Sequence, residues 1–275
     1  MTERPFVHAL LYGDPGVGKS TFAATFPKPM LVFCFDSNMK DNPYRVGGDN
    51  STGLQKYEIE TNKGVVEIYF RDIIHPDGMT RVEYYNKTDD IENPTAFSHF
   101  RTRMSVLQSE YDTWKTVVVD SITFMELQAR KLEEKVLNRL PEGVSLYTKG
   151  GGGDQRMWFA GATSSLEEIL CMRLAGLEMN VVVVAHVSKD KNMISGEIVQ
   201  VPYAPGRLAS RSLLSAAFAE QYRLYTERNE DGDRVYLAQT SNRDGFIGAT
   251  QIQAPDPTWP MYDQLWAKWD AGYNN

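Results

Sequence analysis

The feature that most constrains the fold of this chain is a glycine-rich octapeptide near the N-terminus, Gly13-Asp14-Pro15-Gly16-Val17-Gly18-Lys19-Ser20. It fits the pattern G-x-x-x-x-G-K-[ST], with an apolar strand candidate before it and an amphipathic helix candidate after it. In such a loop, backbone N–H groups converge on phosphate oxygens, and the N-terminus of the helix adds its partial positive charge. The sequence therefore predicts a Walker A phosphate loop, against the alternative of a glycine turn followed by a lysine by chance.

The predicted ligand of this loop is ATP with Mg²⁺. Lys19 is expected to reach the β- and γ-phosphates, and the Ser20 hydroxyl is expected to coordinate the metal. The candidate cofactor-binding residues are Gly13, Asp14, Pro15, Gly16, Val17, Gly18, Lys19, Ser20 and Thr21.

A second carboxylate follows a buried strand candidate, in the run Val117-Val118-Val119-Asp120-Ser121. A phosphate loop requires an acidic residue at the end of a neighbouring strand to hold the metal, and Asp120 fits this Walker B role. An aspartate in this place could also cap the helix that begins next. The metal-binding set is therefore predicted to be Ser20 and Asp120.

The rest of the chain predicts an α/β fold in which a mostly parallel central sheet is flanked by helices. Continuous β-branched runs predict strands that are buried on both faces of the sheet. The turn-rich stretch 229–233 predicts an antiparallel hairpin at the C-terminal edge of the sheet. The strand candidates are 7–12, 30–35, 116–119, 180–185, 221–227 and 234–240, and the helix candidates are 19–26, 96–111, 122–140, 158–179 and 208–219.

The domain organisation follows from what remains. We expect residues 1–254 to form one domain, with a polar insertion at about 38–94 in which 65–73 pairs with 80–85 as a β-hairpin. The tail, 255–275, carries three tryptophans. It packs either on its own domain or on a neighbouring subunit, and the sequence leaves both interpretations open.

Composition narrows the setting in which the protein works. Apolar runs such as 181–185 are far shorter than the roughly 20 residues of a membrane-spanning helix, and the N-terminal residues lack a secretory pattern. Cys34 and Cys171 lie in apolar surroundings, which favours free thiols over a disulfide. We therefore expect a cytoplasmic protein that contacts no membrane. Its net charge of −7 gives no overall basic field, so any contact with nucleic acid depends on local patches.

The order of these motifs resembles the RecA family of ATPases, in particular the compact phage-encoded group of nucleotide-binding proteins that includes annealing and recombination factors. The resemblance is carried by the phosphate loop, the strand candidate ending before Asp36, the Asp120-Ser121 pair and the strand ending at His186, over about 7–248. It implies a RecA-like P-loop NTPase fold, ATP and Mg²⁺ as cofactors, and a phage protein located in the host cytoplasm.

The resemblance also implies roles at matching positions. Asp36 stands where the family usually has the glutamate that orients the attacking water, and His186 stands where a polar residue senses the γ-phosphate. Arg243 matches a finger that completes a neighbouring subunit's active site, although a lysine that commonly precedes it is missing. Asp41 and Tyr44 match residues that contact adenine. Each of these residues also fits an ordinary turn or strand end.

Two segments resemble, by position, the DNA-binding loops of RecA-like proteins. They are 149–156, which contains a glycine tract, and 187–207. Cations would contact the phosphate backbone and a tyrosine would stack on bases, although both segments also read as solvated surface loops. The candidate DNA-binding residues are Lys149, Arg156, Lys189, Lys191, Tyr203 and Arg207.

Together these features predict an Mg-ATP-dependent ATPase that single-stranded DNA stimulates, acting in phage recombination or single-strand annealing. The expected partners are single-stranded DNA, further copies of the chain in a ring or filament, and a single-strand-binding protein. Two alternatives remain open. One is a nucleotide-binding regulatory or scaffold protein with little turnover, and the other is a small-molecule P-loop kinase.

Overall fold

The strands of the fold are rich in β-branched and aromatic residues, as the sequence pattern predicts. The computed structural model describes residues 5–36, 43–45, 50–62, 64–86, 94–110, 112–137, 155–191, 196, 198–203, 214, 217–242, 246 and 248–270. The strands in these ranges are β1 His8–Gly13, β2 Met30–Cys34, β3 Asn50–Ser51, β4 Gln55–Thr61, β5 Gly64–His75, β6 Gly78–Tyr84, β7 Thr116–Asp120, β8 Asn180–Lys191, β9 Ile198–Pro202, β10 Glu220–Arg228 and β11 Arg234–Gln239.

The strands form a sheet in the order β11-β10-β1-β8-β7-β2-β6-β5-β3. Neighbours are parallel from β10 through β6, and β10 and β11 form an antiparallel hairpin at one edge. This confirms the mostly parallel sheet and the hairpin at its C-terminal edge. Because β1, β8 and β7 are parallel neighbours, the phosphate loop after β1 and Asp120 at the end of β7 lie at the same edge of the sheet, with β8 between them.

The predicted insertion differs from the sequence interpretation in how it joins the domain. The hairpin is present as β5 and β6, but β6 also pairs in parallel with β2, with Met30 opposite Thr80 and Cys34 opposite Tyr84. The hairpin therefore extends the central sheet. This pairing could not be predicted from local patterns, because it joins strands far apart in the chain, whereas hairpin signals are local.

The segment that begins at Val187 also differs from the sequence prediction, which treated it as a polar loop. Strand β8 continues to Lys191 and β9 returns antiparallel to it, with Val187 opposite Pro202 and Lys189 opposite Gln200. The backbone groups of this segment are thus paired within a β-hairpin. Its polar side chains do not show the apolar pattern by which buried strands are predicted, so the sequence was interpreted as a loop.

The helices lie on both faces of the sheet and are shorter than predicted. Beyond α3 and α4 the chain continues as wider π-helical turns over Glu133–Leu137 and Glu168–Leu174, and the predicted helix 208–219 lies mostly outside the described residues. The α-helices are α1 Lys19–Ala23, α2 Ala96–Leu107, α3 Ile122–Leu132, α4 Gln155–Glu167, α5 Tyr262–Leu265 and α6 Ala267–Asp270, and 3₁₀ turns occur at Pro43–Arg45 and Gln108–Glu110.

Alternating side chains of the central strands pack in two apolar cores, one on each face of the sheet. One core packs the sheet against α2, α3 and α4, and includes Phe33 and Phe100. The other packs it against α1 and the C-terminal tail, and includes Phe22 and Trp266. Burial of such apolar side chains is the main stabilising contribution to the fold.

The C-terminal tail packs on its own domain in this structure, as one of the two interpretations left open by the sequence has it. Thr258 exchanges backbone hydrogen bonds with Ala238 of β11, and Leu265 and Trp266 are fully buried. Across the described ranges, no helix is both long enough and apolar enough to cross a bilayer.

Candidate nucleotide-binding site

The phosphate loop leaves the sheet at the end of β1 and enters α1. A Cβ on Gly13 would lie 2.3 Å from the carbonyl oxygen of Leu224 on β10, so a side chain there would push the two strands apart. Gly18, the N-cap of α1, has a φ of +87°, in the left-handed region that favours glycine. Two glycines of the motif are thus required by the backbone that shapes the loop.

Lys19 lies at the first position of α1 and is folded against the loop. Its side chain is almost fully buried, and its Nζ donates to the carbonyl oxygens of Gly13 at 2.9 Å and Asp14 at 2.7 Å. Burial lowers the pKa of the Lys19 ammonium to about 8, against the opposing effect of the Asp120 and Asp14 carboxylates. This cation is therefore poorly neutralised, and phosphate groups would stabilise it.

Asp120 ends β7 and is buried beside the loop. Its carboxylate accepts hydrogen bonds from Ser20 and, at 2.9 Å, from the Tyr44 hydroxyl. Burial raises the pKa of Asp120, while these two hydrogen bonds and Lys19 act in the opposite direction. The predicted metal pair, Ser20 and Asp120, is therefore already in contact.

Two further predicted residues lie at the same edge of the sheet. His186 is paired with Gly13 in the β1–β8 register, and its half-buried ring lies edge-on to Phe124. Burial lowers the pKa of His186, and Lys19 lowers it further, so the imidazole is neutral at pH 7. Asp36 follows β2, and its charge acts on both Asp120 and His186. Five predicted functional side chains thus surround one space, those of Lys19, Ser20, Asp36, Asp120 and His186.

That space is a cavity of about 680 Å³. This volume lies within the range of small-molecule and cofactor sites. Its walls come from the phosphate loop and α1, from the ends of β2, β7 and β8, and from β11 and the C-terminal tail. The lining residues are Pro15, Gly16, Gly18, Lys19, Ser20, Thr21, Phe22, Asp36, Pro43, Asp120, Ser121, Val184, His186, Tyr236, Trp259, Pro260 and Met261.

The oxygen donors of this cavity fit Mg²⁺. Mg²⁺ is usually held by one or two protein oxygens together with substrate phosphates, rather than by a closed protein cage. Ser20 and Asp120 supply such oxygens, and the buried Ser121 Oγ beside them has no hydrogen-bond partner among the residues that the structure describes. Among the described side chains, no group of three His, Cys, Asp or Glu forms a separate metal cage.

The family resemblance implies that Tyr44 contacts adenine, but in this structure its ring is not exposed. The ring is fully buried, and its hydroxyl donates to Asp120. Burial raises the pKa of Tyr44 well above its usual range, so the group stays protonated as a donor. In this structure Tyr44 contacts the Asp120 carboxylate, and its contact with adenine stays a prediction.

The predicted DNA-binding residues are only partly placed. Lys189 is exposed on β8, whereas Tyr203 is half-buried and its hydroxyl donates to Glu126 Oε2 at 3.1 Å. The side chains of Arg156 and Lys191 lie outside the described part of the chain. Asp41, Lys149, Arg207 and Arg243 lie wholly outside the described residues.

Sequence reasoning missed two parts of the site. Tyr44 beside Asp120 depends on how the segment after β2 folds back, which no local pattern reports. Tyr236 of β11 and the tail residues 259–261 reach the cavity from the other end of the chain. The only signal for the tail was a tryptophan flanked by prolines, in Pro257-Thr258-Trp259-Pro260.

The comparisons with known proteins agree with this geometry. A family model described as an AAA domain matches residues 6–247, which covers the phosphate loop, Asp120 and the β10–β11 hairpin. No curated protein matches the sequence. The match spans most of the chain and contains every strand of the central sheet, so this chain belongs to the AAA domain family of P-loop ATPases.

Proposed function

We propose that the protein is an Mg-ATPase whose turnover single-stranded DNA stimulates, and that it acts in phage DNA recombination or strand annealing. The nucleotide-binding ATPase activity rests on the family and on the phosphate loop. The DNA dependence and the phage role rest on the resemblance to phage RecA-like proteins and on the connection described next.

The observation that carries the proposal is the continuity of β8. The strand enters the cavity at Val184 and His186, and three residues later it carries the exposed Lys189 on the β8–β9 hairpin. The returning strand ends beside the same histidine, since the Tyr203 N–H donates to the His186 carbonyl oxygen at 2.7 Å. One β-ribbon thus joins the proposed phosphate end of the cavity to a cation on the surface.

The chemistry assigned to the chain's own residues is positioning and charge stabilisation. Lys19 would leave the loop carbonyls and bind the β- and γ-phosphates, and Ser20 and Asp120 would hold the metal. Bound Mg²⁺ would neutralise charge on the β- and γ-phosphate oxygens. Asp36 would accept a hydrogen bond from the attacking water and orient it. His186, neutral at pH 7, would hydrogen-bond the terminal phosphate.

In this account, loss of that hydrogen bond after hydrolysis alters the position of His186 and therefore of the hairpin. ATP binding would favour the DNA-bound form, and hydrolysis would favour release. A ligand shifts such an equilibrium only through contacts that differ between the two states, and the γ-phosphate contact of His186 is one.

Two substitutions at one position test this coupling. His186→Ala should retain ATP binding and lose most of the DNA stimulation, whereas His186→Gln, which keeps a hydrogen-bonding group, should retain part of it. Steady-state hydrolysis with and without single-stranded DNA gives the ratio for each protein. An alanine variant stimulated as strongly as the wild type would contradict the role of His186.

The active form is proposed to be a homo-oligomer in which Arg243 completes the site of a neighbouring subunit. Arginine fingers of this kind stabilise charge that develops on the γ-phosphate. Mixing Lys19→Ala with Arg243→Ala protein should then restore part of the activity, because some interfaces combine an intact phosphate loop with an intact finger. Absence of recovery at any mixing ratio would remove the trans finger.

A further inference from the structure

We infer that the base of the bound nucleotide stacks on a wall of aromatic and other apolar side chains formed by Tyr236 of β11 and by Trp259, Pro260 and Met261 of the C-terminal tail. This inference rests on the proposed binding of a nucleoside triphosphate at the phosphate loop. It assigns the base to residues that neither the motifs nor the family match identify. These four residues are called the base wall below.

The base wall belongs to the same cavity as the phosphate loop, and its side chains are unusually exposed for their type. Trp259 is 56% exposed and Met261 is 51% exposed, whereas the indoles of Trp114 and Trp266 are buried at 4% and 0%. Large apolar side chains left uncovered in a cavity are typical of a ligand site. Here the ligand in question is already tied to the cavity by its phosphates.

The position of the base wall matches the end of the nucleotide that the phosphates leave free. Asp120 and His186, the residues assigned to the metal and the γ-phosphate, lie on β7 and β8, on one side of β1. Tyr236 lies on the other side of β1, and its ring is packed on the loop itself, 3.3 Å from where a Cβ on Gly18 would stand. A triphosphate whose γ end points to β7 and β8 directs its sugar and base towards β11 and the tail.

Contacts on both sides hold the base wall in place. On one side, the Thr258 N–H donates to the Ala238 carbonyl oxygen at 3.0 Å. On the other, the Tyr262 N–H donates to Thr25 Oγ1 at 2.9 Å, and the Tyr262 ring lies 4.9 Å from that of Phe26. The tail thus crosses from β11 to the end of α1 as a fixed strap. Such preorganisation reduces the entropic cost of binding.

Arg234 ties the aromatic part of the base wall to the phosphate loop. Its guanidinium donates to the Gly16 carbonyl oxygen at 3.1 Å and lies 5.2 Å from the Tyr236 ring centroid. The Tyr236 ring is therefore held beside the loop from the strand side, while Trp259 approaches from the tail. A planar base can contact either ring.

Stacking sets the chemical class of the ligand. Aromatic side chains stack on every base, and the contact grows with the area of the ring system. We therefore expect purine nucleoside triphosphates to bind more tightly than pyrimidine ones, with weak discrimination between adenine and guanine.

The test separates the base from the phosphates by comparing ATP with inorganic tripolyphosphate, which has no base. Isothermal titration calorimetry of the full chain with Mg²⁺ gives both affinities. Trp259→Ala should weaken ATP binding about tenfold and leave tripolyphosphate binding unchanged. Trp259→Phe should retain most of the ATP affinity. Phe6→Ala is the matched control, because Phe6 is 59% exposed and does not line the cavity.

Two results would overturn the base wall. One is ATP affinity in Trp259→Ala equal to that of the wild type, and the other is an equal loss for ATP and tripolyphosphate, which would mean that the tail only supports the loop. Lys19→Ala distinguishes a failure of the underlying proposal. It should lose both ligands, and unchanged binding in that variant would remove the phosphate loop assignment itself.

Discussion

At the scale of single residues, the site is defined by charged groups held away from water. The Lys19 ammonium is buried against two backbone carbonyl oxygens, and the Asp120 carboxylate is buried against the Tyr44 hydroxyl. Burial favours the neutral form of each group, so it lowers the pKa of Lys19 and raises the pKa of Asp120. Triphosphate and metal would reverse both shifts, so binding and protonation are coupled.

The coupling at Lys19 gives a pH dependence with a definite sign. The pKa of about 8 leaves the group largely neutral at pH 9, and bound phosphates favour its charged form. ATP binding at pH 9 should therefore take up about one proton, and affinity should fall as the pH rises above 8, by at most about tenfold for each pH unit. Calorimetry in two buffers with different ionisation enthalpies measures the uptake.

Lys19→Arg provides the control for this titration. The guanidinium stays protonated throughout this pH range, so any binding that remains should take up no proton at that position. If the lysine and arginine proteins took up equal numbers of protons, the titrating group would not be Lys19.

Tyr44 should act on the metal rather than on the base. Tyr44→Phe removes one of the hydrogen bonds that lower the pKa of Asp120 against the effect of burial, so the carboxylate becomes harder to ionise. We expect the Mg²⁺ concentration for half-maximal ATPase activity to rise several-fold. The free energy of unfolding should fall by about 1–3 kcal/mol, since a buried acceptor loses a partner.

Tyr222→Phe is the control that separates the effect on Mg²⁺ dependence from the effect on stability. Tyr222 is also a buried tyrosine whose hydroxyl donates to a buried carboxylate, that of Glu220, but neither residue lines the cavity. Its loss should lower stability and leave the Mg²⁺ dependence unchanged. A similar Mg²⁺ response in both variants would reduce Tyr44 to a structural residue.

At the scale of elements, β8 is longer than the strand that the apolar pattern predicts. Its first half is the continuous apolar strand that the sequence predicts, buried between β1 and β7. Its second half is polar and, among the described strands, pairs only with β9. The apolar run ends at Ala185, beyond which the side chains of the strand become more exposed. A prediction based on burial therefore ended the strand too early.

The hairpin prediction concerns Lys189, which is exposed on this second half. Lys189→Ala should weaken single-stranded DNA binding for all sequences alike. It should also make the slope of log affinity against log salt concentration shallower by about 0.7, because one phosphate contact is lost. Fluorescence anisotropy of a labelled oligonucleotide across a salt series measures both effects.

Lys268→Ala is the control for this series, since Lys268 is exposed on α6 of the tail. It should leave the slope unchanged. A Lys189 variant with the wild-type slope would exclude the hairpin from the DNA contact and return it to the interpretation as a solvated surface ribbon.

At the scale of the whole molecule, the sequence was most informative where the signal is local. The phosphate loop, Asp120 after its valine run and the β10–β11 hairpin could all be predicted, because each depends on adjacent residues. The pairing of β6 with β2 and the path of the tail to the cavity could not. They depend on which surfaces meet after folding, and neither periodicity nor turn chemistry reports that.

For the same reason, the family resemblance predicted the positions of some site residues better than those of others. Asp36 and His186 come directly after predicted strands of a parallel sheet, and such positions meet at one edge whatever the details of packing. Tyr44 lies in a segment whose path is not set by a strand end, and it is buried against Asp120 instead of lining the cavity. Strand ends were therefore a better guide to the site than spacing within loops.

We propose above all that ATP hydrolysis at this site responds to single-stranded DNA. The most direct test is the steady-state rate of ATP hydrolysis by the full chain with and without single-stranded DNA, with Lys19→Ala as the blank. We expect turnover in the wild type that rises clearly when DNA is added, and none above background in the variant. Turnover that is the same with and without DNA would contradict it.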